Sequence, residues 1–199
     1  MKKEIIERYE RTVSGEVIID ISAQKIEDLY DNFDKQSHFL KKDLNKGLVE
    51  YIIESAREIE KEDFILQFTL ETDADPDSIG RVKNSINNFF VYLQEVESRK
   101  IKEMMRTSII FLVIGLAIAT ISVFMNQSRL VEISVAAAVM AEGLTVAAWV
   151  SLWESLAIFL IKWIPHKKTI VLFRRIADAK VIFNPELSNK KLNSIKIRK

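Results

Sequence analysis

The chain has 199 residues, of which 48% are hydrophobic and 29% charged, and its formal net charge at pH 7 is +1. It has no cysteine, which excludes disulfides, thiolate chemistry and Cys-ligated zinc, and its five glycines cannot build a glycine-rich nucleotide-binding loop. The charge is unevenly distributed, because residues 1–106 carry 17 basic and 23 acidic side chains whereas residues 162–199 carry 11 basic and two acidic ones.

Residues 1–106 are predicted to form one small α/β domain, since a segment of this size can enclose its own core. Over residues 17–21 and again over residues 64–70, apolar side chains recur at every second position, which is typical of β-strands. Ser22 can cap a helix that follows the first strand, and a second helix is predicted over residues 39–59.

A long helix is predicted to begin at Asp75-Pro76, with the aspartate as cap and the proline in the first turn. It is expected to run through residues 76–106 and lead into the apolar segment that follows, because no further proline interrupts it. Its apolar stripe has two interpretations: packing on the sheet of its own domain, or a short coiled coil between subunits. The stripe consists of Ile79, Val82, Ile86, Phe89, Leu93 and Val96.

Residues 107–164 are predicted to form a two-helix transmembrane hairpin. Residues 107–125 contain no charged side chain, and an uncharged apolar run of about 18 residues or more is typical of a membrane-spanning helix. A second apolar run covers residues 130–161.

As one helix, the second apolar run would be about 48 Å long, which exceeds the thickness of a bilayer. We therefore expect a break near Glu142-Gly143. This break leaves residues 143–164 as the second span and residues 130–141 as an interfacial or re-entrant helix.

The basic residues predict the orientation in the membrane. They cluster before the first span and after the second, whereas the connection between the spans offers only Arg129. Since basic loops stay on the cytoplasmic side, we expect a multi-pass protein of the cell membrane with both termini in the cytoplasm.

Residues 165–185 are predicted to form a helix and a strand that return to the cytosolic domain, because a lone apolar strand would otherwise be an exposed edge. Trp163 and Pro165 are expected to mark the interface and a helix stop. Residues 186–199 are predicted to be a disordered basic tail that contacts anionic lipid headgroups. The tail lacks the aromatic side chains that nucleic-acid binding would need.

Glu154 is the principal candidate for a functional side chain. Counted inward from Lys162, it lies about 12 Å deep, near the middle of a hydrocarbon core about 30 Å thick. The first span offers no basic side chain, so any cationic partner of Glu154 is expected to come from another chain. Glu154 then lines a proton or cation pathway between subunits, or it is protonated and holds helices together. Glu142 is the second candidate, either as an ordinary interfacial charge or as part of an acidic vestibule.

Small residues at four-residue spacing predict close helix packing in lipid. They are Gly115 and Ala119 in the first span, and Gly143, Ala147, Ser151 and Ser155 in the second. The pattern leaves open whether the partner helix belongs to the same chain or to another subunit.

No catalytic constellation, cofactor motif or metal-ligand set is evident, so we expect neither enzymatic activity nor a cofactor or metal site. The sequence favours a non-enzymatic, membrane-anchored regulatory or scaffold module that self-associates, with a possible cytosolic protein partner. The alternative is a homo-oligomeric ion or proton channel lined by Glu154.

Overall fold

A computed structural model describes residues 7–31, 44–72, 75–129 and 133–184 of the chain. Two compact units are formed. Unit 1 comprises Met1–Gln94 with Val171–Lys199, and unit 2 comprises Glu95–Ile170. Most described residues are helical, and the sheet has three strands.

The elements form two successive βαβ units, and the connection between the strands of the second unit is very long. In chain order they are β1 (Val17–Ala23), a 3-10 turn (Ile26–Leu29), α1 (Lys46–Glu58), β2 (Phe64–Leu70), α2 (Pro76–Asn126), α3 (Val135–Ala157), a π-helical turn (Ile158–Lys162), α4 (Ile164–Asp178) and β3 (Lys180–Asn184).

The three strands form a parallel sheet in the order β1-β2-β3. Val17 lies opposite Phe64, and Leu66 lies opposite Val181. Parallel neighbours need a crossover connection, which α1 supplies between β1 and β2, while α2, α3 and α4 all lie between β2 and β3. The predicted return of the last strand to the sheet is confirmed by its pairing with β2.

The core of unit 1 lies between one face of the sheet and the helices. Every second side chain of β1 and β2 points into it, as their two-residue periodicity requires, and α1, α2 and α4 contribute buried side chains. The Phe68 ring stacks on that of Phe183, with centroids 5.3 Å apart. Val82 and Ile86 are buried in this core, which confirms the first interpretation of the predicted apolar stripe.

One local prediction in unit 1 was wrong, and a second was right about a helix but wrong about where it begins. Ser22 belongs to β1 and caps no helix, and the described residues after it, up to Asp31, contain a 3-10 turn and no α-helix. The helix predicted over residues 39–59 begins at Lys46, because the Asn45 side chain accepts hydrogen bonds from the Gly47 and Leu48 amides at 2.9 and 3.3 Å. Residues 39–43 lie outside the described residues.

Helix α2 runs without interruption from Pro76 to Asn126, as the sequence predicted. The predicted break near Glu142-Gly143 was wrong, since α3 continues through both residues. One glycine inside a helix costs only about 1 kcal/mol, which is too little to end a helix otherwise built from good helix formers.

The end of α3 also differs from the prediction. Pro165 does not stop a helix but lies in the first turn of α4, where its missing amide hydrogen is not needed. The irregularity comes earlier, in the π-helical turn Ile158–Lys162. Residues 130–132 and the predicted disordered tail, 186–199, lie outside the described residues.

Candidate functional site

Within unit 2, α2 and α3 pack antiparallel through small side chains. Each helix presents buried small residues at intervals of seven, a spacing that keeps side chains on one face of a helix. The series is Ser108, Gly115 and Ser122 on α2, and Ala141, Ala148 and Ser155 on α3.

Hydroxyl groups form hydrogen bonds at both ends of this contact. Ser108 Oγ donates to the carbonyl oxygen of Ser155 at 2.9 Å. At the other end, Ser122 Oγ and Thr145 Oγ1 are 2.6 Å apart, and Ser122 Oγ lies 3.2 Å from the carbonyl oxygen of Ala141. The two pairs fix the antiparallel register and give each buried serine a partner.

Gly115 lies where these helices approach each other closely. A Cβ atom added there would lie 2.9 Å from Leu152 Cγ and 3.2 Å from the Leu152 backbone nitrogen. The first distance is shorter than real Cβ contacts, so the helices approach this closely only because residue 115 is a glycine.

The outer surface of the helix pair is apolar. In each of the two helical stretches, Pro76–Asn126 and Val135–Asp178, the most apolar 18-residue window has a mean hydropathy of 2.6 or 1.8, and only 17% of that window is buried. Large side chains such as Phe124, Trp149 and Trp153 are about 70% exposed. Both helices are thus long and apolar enough to cross a membrane, and they are not covered as the core helices of a soluble protein would be.

Glu154 forms an ion pair with Lys162 of the same chain. The expectation that a cationic partner must come from another chain was therefore wrong. The π-helical turn explains the pairing. In a regular α-helix, residues seven positions apart lie on the same face. The turn accommodates one extra residue, so here residues eight positions apart, Glu154 and Lys162, lie on nearly the same face. A helical lysine also points back toward the N-terminus, and thus toward Glu154.

The register revises the expected depth of Glu154 and agrees with the interfacial level expected for Glu142. Glu154 precedes Ser155, which is bonded to Ser108, one residue inside the charge-free run that begins at Thr107. Glu142 follows Ala141, which contacts Ser122 near the other end of that run. Both carboxylates therefore lie level with the ends of the apolar segment and not with its middle.

The predicted packing residues are found in different environments. Gly115 and Ser155 lie in the contact between α2 and α3. Ala119, Ala147 and Ser151 are half-buried, and Gly143 is exposed with open space around it. The contact follows a spacing of seven, which the sequence analysis missed although Ser108, Gly115 and Ser122 show it.

A second polar cluster lies beyond the apolar segment. Glu97 of α2 has an 11% exposed side chain and lies 2.6 Å from His166 Nδ1 of α4 and 2.9 Å from Lys100 Nζ. Burial disfavours the charged form, but the hydrogen bonds from Lys100 and His166 outweigh it and lower the pKa of Glu97. The sequence suggests only the pairing with Lys100, because contact with His166 depends on the helix register.

An open groove of about 430 Å³ runs beside the contact, between Ala119 and Val123 of α2 and Trp149 and Leu152 of α3. Its polar groups include Ser122, which already has hydrogen-bond partners. In the described part of the chain, no three His, Asp or Glu side chains are grouped closely enough to hold a metal ion.

Comparison with protein-family models, with curated proteins and with solved structures gives no match to this chain.

Proposed function

We propose that the chain is a non-enzymatic membrane-anchored module, in which the α2–α3 pair of unit 2 crosses the bilayer as a hairpin and unit 1 is a cytosolic regulatory or scaffold domain. The observation that supports this most is the exposed apolar surface of both helices. In water such a surface would be far larger than the apolar patches that soluble monomers tolerate. In lipid it is the surface that a spanning helix needs.

The hydroxyl pairs support the same proposal. Lipid offers no hydrogen bonds, so polar groups in a spanning pair must bond to each other, as Ser108 does with Ser155 and Ser122 with Thr145. α3 alone has 23 residues, or about 34 Å of helix, which matches a hydrocarbon core about 30 Å thick.

The charges flanking the helices support a cytoplasmic location for unit 1. Lys102 and Arg106 precede the charge-free run, and Lys167 and Lys168 follow the second helix. Between the helices the chain offers only Arg129 as a basic side chain. Under the positive-inside rule the connection between α2 and α3 then lies outside the cell.

Insertion is tested with vesicles of pure phosphatidylcholine. We expect the full chain to float with the vesicles and to resist extraction by alkaline carbonate. Leu116→Arg, in the charge-free run, should impair insertion, since a central arginine costs about 2.5 kcal/mol or more. Tyr92→Arg is the matched control, because Tyr92 is 57% exposed and Leu116 54%, yet Tyr92 precedes the apolar run. A chain that stays soluble and monodisperse without detergent would refute the proposal.

Self-association is part of this proposal and is tested by native mass spectrometry of the chain in nanodiscs. Half-buried Ala147 and Ser151 and exposed Gly143 leave a small-residue surface on α3 that a second copy can approach. We expect a defined oligomer, and a strictly monomeric chain at all concentrations would remove this part of the proposal.

The Glu154–Lys162 ion pair bears on the alternative of an ion or proton channel. It supplies, inside one chain, the compensating charge whose absence from the first span had suggested a pathway between subunits. We expect Glu154→Gln to leave the proton and potassium permeability of protein-containing liposomes unchanged. A conductance that disappears in Glu154→Gln would revive the channel.

A further inference from the structure

Four basic side chains at one end of unit 2 have no acidic partner within salt-bridge distance among the described residues. They are Lys102 and Arg106 on α2, and Lys167 and Lys168 on α4, and all four are exposed. Neighbouring cations are engaged, since Lys100 pairs with Glu97 and Lys162 with Glu154. We call the four unpaired cations the basic collar. Glu103 is an exposed carboxylate beside them.

The position of the collar is set by two contacts inside unit 2. Ser108 touches Ser155, and about 16 Å further along the helix Glu97 touches His166. Helix α2 therefore runs beside the chain segment 155–166 over this distance. Lys102 and Arg106 lie between the two contacts, and Lys167 and Lys168 follow His166 directly.

The chain segment 155–166, which runs beside this part of α2, carries exposed apolar side chains at the same level. Phe159, Leu160 and Ile161 are exposed there, level with the charges of α2. A zone in which one helix carries charges while its neighbour carries bare apolar side chains suits the boundary between headgroups and hydrocarbon.

An aromatic side chain reinforces this position. The Trp163 ring lies 5.2 Å from Lys167 Nζ, in the geometry of a cation–π contact. Tryptophan is enriched at the level of the headgroups, so the ring holds one cation of the collar near that level.

From the unpaired cations, their level and the tryptophan, we propose that the basic collar binds the headgroups of anionic phospholipids. This inference rests on the proposed membrane insertion of unit 2. It differs from contact through the terminal basic residues, because the collar belongs to the helices themselves and holds its charges in fixed register. Each unpaired cation near an anionic surface strengthens binding by up to about five-fold.

The test uses the full chain with Trp163 as its sole tryptophan. Trp149 and Trp153 are about 70% exposed, so Trp149→Phe and Trp153→Phe remove them without disturbing the core. The chain is reconstituted into vesicles of phosphatidylcholine containing either brominated phosphatidylglycerol or brominated phosphatidylcholine. Bromine quenches tryptophan fluorescence only in contact, and the ratio of the two association constants gives the headgroup preference of the collar.

We expect phosphatidylglycerol to be preferred about five-fold or more, with the preference falling as salt increases. Changing the four collar residues to glutamine should bring the ratio near one. A control with four exposed lysines of unit 1 changed to glutamine has the same net charge and should keep the preference. The control residues are Lys46, Lys61, Lys83 and Lys180.

The outcomes separate this inference from the proposed function. A chain that does not insert into phosphatidylcholine vesicles overturns both. A chain that inserts but is quenched equally by the two lipids, or keeps its preference without the collar, overturns the lipid site alone. Competition by millimolar glycerol phosphate would show a site for free phosphate and would likewise overturn it.

Discussion

Units 1 and 2 use apolar side chains in opposite ways. In unit 1 the large ones, such as Phe68, Phe90 and Ile52, are fully buried between sheet and helices. In unit 2 the large ones face outward, and the contact between helices is made by serine, alanine and glycine. A large hydrophobic side chain therefore stabilises unit 1 by leaving water. In unit 2 its contribution to stability depends on the medium that surrounds the helix pair. Four pairs of substitutions test this contrast and the contacts inside unit 2.

The largest expected effect compares two phenylalanines. Phe68→Ala removes a fully buried ring from the core of unit 1 and should lower the free energy of unfolding by about 3–5 kcal/mol. Phe124→Ala changes a ring that is 69% exposed and should leave the melting of the full chain in detergent micelles nearly unchanged. Equal destabilisation by the two changes would contradict the contrast.

The next effect concerns the tight contact between the helices at Gly115 in unit 2. Gly115→Ala places a methyl group against Leu152 and should destabilise the helix pair by about 1–3 kcal/mol relative to Gly143→Ala. Gly143 is the control because no atom of the same chain lies within 4 Å of its added Cβ, so within one helix pair alanine only improves helix propensity. Thermal unfolding in nanodiscs measures both, and equal melting temperatures would show that the helices do not meet at Gly115.

Glu97 is expected to make the stability of the folded protein depend on pH. Because its folded pKa lies below the ordinary value of 4.5, its contribution is fully present above that value and is lost as the pH falls through the folded pKa. At neutral pH, Glu97→Gln should cost about 1–3 kcal/mol, and the variant should lose less stability on acidification than the unchanged protein. Exposed Glu95, whose carboxylate is 3.9 Å from Arg99, provides the control change Glu95→Gln. Parallel pH curves for the protein and Glu97→Gln would rule out this role.

The smallest effect is expected at the hydroxyl pair. Ser122→Ala removes the 2.6 Å contact with Thr145 and should cost about 0.6 kcal/mol, the average for such bonds between membrane helices. Ser151→Ala removes a hydroxyl that bonds only to the Ala147 carbonyl in its own helix and should cost less. The melting temperature in the same nanodiscs should therefore be lower for Ser122→Ala than for Ser151→Ala. A lower melting temperature for Ser151→Ala would show that the Ser122–Thr145 contact does not stabilise the helix pair.

The sequence predicted the parts of the fold that depend on local periodicity. Both strands of the first domain, the uninterrupted α2 and the return of residues 180–184 to the sheet follow from alternation, proline positions and the need to pair an edge. The break near Glu142-Gly143 was predicted wrongly because bilayer thickness was given more weight than helix propensity.

The candidate site depended on register, which a single sequence does not specify. The ion pair between Glu154 and Lys162 depends on a π-helical turn that adds one residue to the helix, and no periodicity in the sequence predicts that turn. The pairing of Glu97 with His166 likewise requires the alignment of two helices, since the two residues are 69 positions apart in the chain. By contrast, the spacing of Ser108, Gly115 and Ser122 was visible and would have identified the contact face.

Whether the hairpin crosses the membrane can be tested directly, because the chain has no cysteine. Single cysteines are introduced in place of exposed Gln127, after α2, and exposed Lys61, in unit 1, and intact cells are treated with a membrane-impermeant maleimide. We predict labelling of Gln127→Cys from outside, and labelling of Lys61→Cys only after permeabilisation. Equal labelling of the two positions in intact cells, or labelling of neither until permeabilisation, would contradict the account.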